Sequence, residues 1–245
     1  MTRRTGGQPP HYTRIGVADR RRRTFRRRLL AWYRRQGRDL PWRRTRNPYH
    51  VLVSEIMLQQ TQVARVIPKY REWLARYPSL RALARASLAE VRETWRPLGY
   101  NARPGRLREI ARRALRKHGG RIPESREDLL ALKGIGPYTA GAVLSFAFGR
   151  NAAILDTNVR RVLRRVFLGD AVYPPERVLW DLAAALVPEQ GAYDFNQAMM
   201  DIGATVCTAR RPRCPVCPLT RVCRSYPLVT GPSRGSRRPQ TGPPR

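Results

Sequence analysis

All four cysteines of the chain lie within residues 207–223, in the order Cys207-x6-Cys214-x2-Cys217-x5-Cys223. Four thiolates this close in sequence can surround a single metal centre. Zinc sites more commonly use two short-spaced pairs of cysteines. An iron–sulfur cluster is also held by four thiolates, and it tolerates uneven spacing because it is larger than one ion. The spacing therefore favours a [4Fe–4S] cluster, with a zinc site and a pair of disulfides as the alternatives.

The chain is strongly basic. Its 49 lysine and arginine residues outnumber 17 aspartate and glutamate residues, which gives a formal net charge of +32. This excess predicts a polyanionic partner, and nucleic acid is the ordinary one because neutralised phosphates release their counterions. An acidic membrane surface is the alternative, but no basic amphipathic helix with an aromatic face supports it. We find no signal peptide and no apolar run of transmembrane length, so we disfavour disulfides and expect a cytoplasmic protein associated with the bacterial nucleoid.

Apolar residues recur at helical spacing along most of the chain, and no clear run of alternating strand character interrupts them. Glycine and proline residues separate the helical segments, among them Pro48, Gly99 and Gly149. We therefore predict an all-α protein of about ten helices. Residues 1–23 contain few apolar side chains and are expected to form a disordered basic arm, and residues 225–245 are expected to form a disordered tail.

A glycine-rich segment, LKGIGP at residues 132–137, lies between two of the predicted helices. Its two glycines permit a tight turn, Ile135 can anchor the turn in the core, and Pro137 suits the first turn of the next helix. The backbone N–H groups of such a turn point outward, where they can bind a phosphate oxygen. A plain structural turn is the alternative. Between helices of so basic a chain, the motif favours DNA-phosphate binding at Gly134 and Gly136.

Two carboxylates stand where they can take part in chemistry. Asp156 precedes a helix predicted to begin near Asn158, so it can cap that helix, which is the usual role of such an aspartate. A capping carboxylate is also rigidly held, and this is compatible with catalysis. Glu55 lies on a helix that starts at Pro48, among apolar neighbours three and four residues away. Loss of solvation there favours the protonated acid near neutral pH; a solvated glutamate beside the apolar stripe is the alternative.

Several short motifs occur in the order found in one enzyme superfamily. They are Pro41-Trp42-Arg43, SEIMLQQTQV at residues 54–63, Leu98-Gly99-Tyr100, the Gly134-Ile135-Gly136 turn, Asp156, Phe195-Asn196-Gln197 and the four cysteines. With these motifs, residues 24–224 resemble the helix-hairpin-helix DNA glycosylases. The SEIMLQQTQV run is most similar to MutY-type adenine glycosylases, whereas the hairpin, the aspartate and the cysteines are shared with endonuclease III and with thymine–guanine mismatch glycosylases.

The resemblance implies two helical lobes with a base-binding cleft between them. Residues 47–151 would form a six-helix barrel that carries the hairpin, and residues 24–46 with 152–224 would form a lobe that holds a [4Fe–4S] cluster. The partner would be double-stranded DNA with a mispaired or damaged base, bound by a monomer. The chain ends soon after Cys223, so we expect no C-terminal domain of the kind that recognises 8-oxoguanine in most MutY-type enzymes.

The same resemblance implies roles for individual residues. Glu55 would protonate the departing adenine, and Asp156 would stabilise the cationic sugar that forms as the glycosidic bond breaks. Tyr138 stands where bifunctional relatives have a Schiff-base lysine, which implies a monofunctional enzyme that leaves an abasic site. Further contacts with the base or the DNA are expected from Arg43, Gln59, Gln60, Tyr100 and Asn158.

The expected activity is therefore removal of adenine opposite 8-oxoguanine or guanine. The nearest alternative is a thymine or uracil glycosylase acting on T:G or U:G mismatches, because Thr157 stands where MutY-type enzymes usually have glycine. A non-catalytic DNA-binding protein that keeps the cluster is the third alternative. The presence of both Glu55 and Asp156 disfavours it.

Overall fold

The computed structural model describes residues 17–99 and 102–227, and within them the chain forms α-helices and no strand. The predicted all-α class is therefore confirmed. Short 3₁₀ turns and one π-helical turn (Arg164–Leu168) connect some of the helices. The α-helices are α1 (Asp19–Gln36), α2 (Pro48–Leu58), α3 (Val63–Arg76), α4 (Leu80–Arg85), α5 (Leu88–Trp95), α6 (Ala102–Lys117), α7 (Arg126–Leu130), α8 (Pro137–Phe146), α9 (Thr157–Leu163), α10 (Glu176–Leu186) and α11 (Ala192–Thr205).

Local sequence explains where the helices begin. α2 has Pro48 at its first position, and the side chain of Asn47 accepts a hydrogen bond from the backbone N–H of Tyr49 at 2.9 Å. α5 begins with a capping box, in which the side chains of Ser87 and Glu90 each bond the backbone N–H of the other. The cap at Asn47 fixes the start of the helix that is central to the fold.

The helices pack in two sets. α2 contacts α3, α6 and α8 in the first set, where α4 and α5 pack on α6 and α7 packs on α8. In the second set α11 packs on α1 and α9, and α10 packs on α9. α11 also contacts α8, which joins the two sets. This packing is compatible with two lobes, whose boundaries at residues 47 and 151 stay a prediction.

α2 and α8 are buried on every side. Every residue from Val51 to Met57 on α2 is buried, and so is every residue from Thr139 to Phe146 on α8. On α8, Gly141 permits a close approach of the chain, since a Cβ at this position would lie only 2.4 Å from the backbone O of Ala153. Because Ala153 belongs to the segment that leads to Asp156, the small size of Gly141 helps to set where that carboxylate lies.

The predicted disordered arm, residues 1–23, ends earlier than the sequence indicated. α1 begins at Asp19, so the last part of the predicted arm is helical. The physical reason is a long-range contact, because Arg21 donates hydrogen bonds to the backbone O atoms of Val166 at 2.7 Å and Val222 at 2.8 Å. The hydrophobic pattern of the arm alone does not reveal these acceptors.

The predicted disordered tail, residues 225–245, also begins too early. The side chain of Ser225 donates a hydrogen bond to the backbone O of Arg165 at 2.8 Å, so this residue is held against the π-helical turn. The remainder of both predicted disordered segments lies outside the described residues, at positions 1–16 and 228–245. In the part of the chain that is described, no helix is long and apolar enough to cross a membrane.

Gly141→Ala is expected to destabilise the protein by about 1–3 kcal/mol, because the added Cβ would overlap with a backbone oxygen. Thermal unfolding followed by circular dichroism should show a Tm lower by several degrees. Gly105→Ala is the matched control. Gly105 also lies inside a helix, but its Cβ would make only an ordinary 3.4 Å contact with Leu88 Cδ1, so the Tm should stay equal or rise. A Gly141→Ala protein as stable as wild type would contradict the close packing.

Candidate active site

A cavity of about 870 Å³ opens between α2, α6, the N-terminus of α8, the N-terminus of α9 and α11. Its size is typical of pockets that enclose a small ligand. Seven of the residues predicted to act on a base or on DNA line it, namely Arg43, Glu55, Gln59, Gln60, Tyr138, Asp156 and Asn158. The structure thus brings together side chains from separate helices.

Glu55 lies in the wall of this cavity, with 3% of its surface exposed. Burial is the main cause that raises the pKa of its carboxyl group to about 7. The hydrogen bond from Tyr138 and the charge of Arg43 oppose this rise in pKa, and the charge of Asp156 adds to it. A large fraction of the carboxyl group is therefore protonated near neutral pH, which is the state that a general acid needs.

Tyr138, on α8, donates a hydrogen bond from its hydroxyl group to Glu55 Oε2 at 2.7 Å. The sulfur of Met200 lies 3.9 Å from the same hydroxyl oxygen. Burial and the neighbouring carboxylates raise the pKa of Tyr138 well above its ordinary value, so the hydroxyl group remains a donor. Tyr138 therefore fixes one oxygen of the carboxyl group that borders the cavity.

Asp156 caps α9, as the sequence predicted. Its Oδ1 accepts from the backbone N–H of Val159 at 2.6 Å, and its Oδ2 accepts from Asn158 Nδ2 at 2.9 Å. These two bonds hold the carboxylate in one orientation while it still borders the cavity. A fixed anion at this place can stabilise positive charge that develops on a bound molecule.

A chain of hydrogen bonds runs from Asp156 to the first cysteine. Asn158 Oδ1 accepts from Arg161 Nη2 at 2.8 Å, and Arg161 Nε donates to the backbone O of Cys207 at 2.7 Å. Gly203 leaves room for the Asn158 side chain in this series of hydrogen bonds, because a Cβ on residue 203 would lie 2.7 Å from Asn158 Cβ. The candidate active site and the cysteine segment are therefore connected by a continuous series of hydrogen bonds.

Arg43 is held by a buried carboxylate. Its Nη1 and Nη2 donate to Asp201 Oδ2 and Oδ1 at 2.8 and 2.7 Å. Asp201 also accepts from the backbone N–H and the Nε of Arg38 at 2.9 and 2.7 Å. Although burial favours the neutral acid, the hydrogen bonds and charge of Arg43 hold the pKa of Asp201 below its ordinary value. Arg43 Nε is fully buried and has no hydrogen-bond partner among the described residues.

The turn before α8 has the geometry of a phosphate site. Gly134 has a φ of +98°, which glycine adopts without strain. Ile135 is buried and anchors the turn, whereas Gly134 and Gly136 are exposed. Gly136 is the N-cap of α8 and Pro137 is its first residue, so the N–H groups of the first turn lack helical acceptors and can bind an anion.

Gln60 lies exposed at the rim of the cavity in a left-handed conformation, with a φ of 54°. No other non-glycine residue in the described ranges has a positive φ. This conformation is costly for glutamine and persists where the surrounding structure enforces it. Gln59, beside it, is half-buried and lines the cavity. Tyr100, which is also predicted to contact the base or the DNA, lies outside the described residues.

Three polar residues that were not predicted as site residues stand out: Arg103 and Gln197 line the cavity, and Asp201 lies behind it and holds Arg43. Gln197 and Asp201 are buried on α11, four residues apart and therefore on one face of the helix. A polar pair at this spacing within an apolar helix is the signal that could have found them. Arg103 carries no such signal, because most of its partners are distant in sequence.

The four cysteines line a small apolar cavity together with Val162 and Val166. Among the described residues no group is arranged to hold a single metal ion, and a four-iron cluster is larger than one ion. Arg165 Nη1 lies 3.7 Å from the sulfur of Cys207 and provides positive charge. Burial raises the pKa of Cys217 to about 12 and that of Cys223 above its ordinary value, so these two thiols would need a cationic centre to become thiolates. The donor set and its surroundings fit a [4Fe–4S] cluster.

Residues 53–186, which include Glu55, the hairpin and Asp156, match the family model of the HhH-GPD superfamily base excision DNA repair proteins. The chain belongs to this superfamily. This HhH-GPD protein is 48% identical over 217 residues to the adenine DNA glycosylase of Rattus norvegicus, a match that covers 84% of the chain and 42% of the relative. It is 46% identical over 213 residues to the adenine DNA glycosylase of Mycobacterium tuberculosis, a match that covers 84% of the chain and 70% of the relative. The chain thus spans about two fifths of the rat relative's length.

The HhH-GPD protein is also similar to thymine-specific relatives. It is 42% identical over 209 residues to the thymine-DNA glycosylase of Aeropyrum pernix, covering 82% of the chain and 94% of the relative. The solved structure of a thermostable thymine-DNA glycosylase superposes with a TM-score of 0.80 at 34% identity, and the match covers 84% of this chain and 97% of the solved one. Endonuclease III trapped as a covalent intermediate with DNA superposes with a TM-score of 0.74 at 24% identity, and the match covers 85% of this chain and 97% of the solved one. These structures confirm the predicted fold family.

Glu55→Gln is expected to stabilise the protein at pH 8 and to leave its stability at pH 4 nearly unchanged. The pKa of about 7 in the folded protein exceeds the ordinary value of 4.5, so the unfolded chain loses its proton first. The free energy of unfolding of wild type therefore falls as the pH rises from the lower to the higher of these two pKa values. The total loss is roughly 3 kcal/mol and is complete above the folded-state pKa. Urea denaturation at pH 4, 6 and 8 measures the difference between the two proteins.

The exposed Glu109, which pairs with Arg116, provides the control. Glu109→Gln should show no gain in stability as the pH rises. If the difference between Glu55→Gln and wild type were the same at all three pH values, the raised pKa of Glu55 would be wrong.

Proposed function

We propose that this chain is a monofunctional DNA glycosylase that removes adenine paired with 8-oxoguanine or guanine. One observation carries the proposal. The buried acid Glu55, with a pKa of about 7, shares a single cavity with the fixed carboxylate of Asp156. The preference for adenine is supported by the relatives named adenine DNA glycosylase, which cover most of the chain.

In the proposed reaction the adenine leaves the duplex and enters the cavity. Glu55 donates its proton to a ring nitrogen of the adenine, which makes the base a better leaving group. Asp156, oriented by Val159 and Asn158, stabilises the positive charge that develops on the deoxyribose as the glycosidic C–N bond breaks. Water adds to C1′ and releases a proton, leaving an abasic site and free adenine.

We assign recognition of the base to polar groups that border the cavity. The side chains of Arg43, Gln59 and Gln197 line the cavity, and the side-chain amide of Gln59 or Gln197 can donate to a ring nitrogen of a purine. Asn158 uses its amide group on Asp156 and Arg161. We therefore expect Asn158 to hold the catalytic carboxylate in place.

We assign binding of the duplex to the hairpin and to the rim of the cavity. The N–H groups near Gly134 and Gly136 would bind a phosphate, and Gln60 and Tyr100 would fill the gap left by the extruded base. A monomer suffices for these contacts, since all assigned residues come from one chain. A cytoplasmic, nucleoid-associated location follows from this activity and stays a prediction.

We propose that the four cysteines hold a [4Fe–4S] cluster. When bound, the cluster supplies a rigid covalent centre for a segment with little regular structure; base removal involves only the residues of the cavity. The exposed Arg210, Arg211 and Arg213 lie between the first two ligands in sequence. Once the ligands are fixed, these side chains are available to the DNA backbone.

A thymine or uracil glycosylase acting on T:G or U:G mismatches is the second candidate. One observation favours it: the chain is 42% identical to the thymine-DNA glycosylase of Aeropyrum pernix and superposes on a thermostable thymine-DNA glycosylase with a TM-score of 0.80. A non-catalytic DNA-binding protein is the third reading, and the buried acid at the cavity disfavours it.

Labelled duplexes containing A:8-oxoguanine, A:G, T:G, U:G or thymine glycol:A separate these candidates. We expect cleavage of the adenine strand only after alkali, because a monofunctional enzyme leaves the abasic strand intact. Glu55→Gln should lose base release and keep DNA binding. Release confined to T:G or U:G would establish the second candidate, and no release from any duplex would establish the third.

Tyr138→Lys is expected to gain strand-cleaving activity without alkali. A lysine amine at this buried position can attack the sugar and form a Schiff base, whereas the tyrosine hydroxyl cannot. Borohydride trapping of a protein–DNA adduct measures the gain. Tyr138→Phe is the control, since it also loses the hydrogen bond to Glu55 but carries no amine. Efficient cleavage by wild type without alkali would contradict a monofunctional enzyme.

Cys217→Ser is expected to lower the iron content, the Tm and the DNA affinity together, because the cluster orders the segment that carries the three arginines. Iron analysis, thermal unfolding and a DNA-binding titration measure the three quantities. Val216→Ser is the matched control, since Val216 is an exposed neighbour in the same loop. Normal DNA binding by a folded, iron-free Cys217→Ser protein would show that the cluster does not support binding.

A further inference from the structure

Arg103 is a buried arginine near the start of α6, with 3% of its surface exposed. Its Nη1 donates hydrogen bonds to the backbone O atoms of Ile56 at 3.1 Å and Met57 at 3.0 Å, and also to that of Gln59. These are carbonyl groups at the C-terminal end of α2, which lack helical N–H partners. A cation is favourable there because the C-terminus of a helix carries partial negative charge.

The second nitrogen of the same guanidinium group holds a different segment. Arg103 Nη2 donates to the backbone O atoms of Leu98 at 3.2 Å and Gly99 at 3.1 Å, and to the side-chain oxygen of Thr61 at 3.1 Å. The guanidinium carbon also lies 5.1 Å from the ring of Trp95. A single planar group therefore joins the end of α2 to the loop that follows α5.

The first of the two joined segments carries Gln60, a residue at the rim of the cavity that is predicted to contact DNA. Gln60 lies between Gln59 and Thr61, both of which bond Arg103, and it has the strained positive φ of 54°. The position of the Gln60 turn relative to Leu98 and Gly99 is thus set by one side chain.

We propose that Arg103 is a positioning residue that holds the Gln60 turn at a fixed place against Leu98 and Gly99, so that the Gln60 side chain enters the duplex as the target base leaves it. This inference rests on the proposed base extrusion. Lysine cannot replace Arg103, because its single ammonium group cannot reach acceptors on two sides at once.

The test measures extrusion and base release separately. A duplex carries 2-aminopurine beside the target adenine of an A:G pair, and its fluorescence rises when the adenine leaves the stack. With saturating protein, Arg103→Lys should lose most of this rise and should slow single-turnover adenine release by about tenfold to a hundredfold. Thermal unfolding shows that the variant is folded.

Arg112→Lys is the matched control. Arg112 lies on the same helix and donates from its Nε to the backbone O of Ala84 at 3.2 Å, away from the cavity. Its replacement should leave both the fluorescence rise and the release rate unchanged. If Arg103→Lys does not fold, Thr61→Val removes one of the contacts and should reduce the fluorescence rise by about threefold.

A normal fluorescence rise in a folded Arg103→Lys protein overturns the proposal even if adenine release is slow, because the defect then lies at Glu55. If Thr61→Val is tested instead, a normal fluorescence rise with that variant also overturns the proposal. If wild type releases no adenine, the proposed adenine activity fails. The same fluorescence comparison on a T:G duplex then tests Arg103 by itself.

Discussion

The hydrogen bond from Tyr138 to Glu55 links α8 to α2, the two helices that are buried on every side. α8 begins at the exposed hairpin, so an anion that bound at Gly136 would be held at a fixed position relative to the acid on α2. Burial of the same helices removes water from the carboxyl group and raises its pKa to about 7. The packing that stabilises the fold thereby creates the chemical state of the site.

The large excess of arginine serves the inside of the molecule as well as its surface. Arg26 donates to the backbone O atoms of Leu186 and Val187, and Arg165 donates to that of Thr208. Arg103 does the same at the end of α2. Arginine suits these places because it stays charged and offers several donors in one plane. The formal charge of +32 therefore overstates the positive surface available to DNA.

Features that depend on neighbouring residues were predictable from the sequence. The two glycines and Pro137 indicate the turn before α8, and Asp156 indicates the cap of α9, because both rely on local backbone chemistry. Contacts between distant residues were not predictable. The helical start of α1 depends on Arg21 reaching Val166, and no local pattern contains that acceptor.

Residue type and spacing alone predict the helical class, the hairpin, the capping carboxylate and the cysteine set. They leave open whether Glu55 is buried or solvated. The packed helices place it in the interior beside Tyr138, and its pKa depends on this solvent exclusion and on neighbours that periodicity does not specify. It also decided that Asp201 holds Arg43, across more than 150 residues of chain. Such pairs form only when helices distant in sequence pack together, and that packing completes the site.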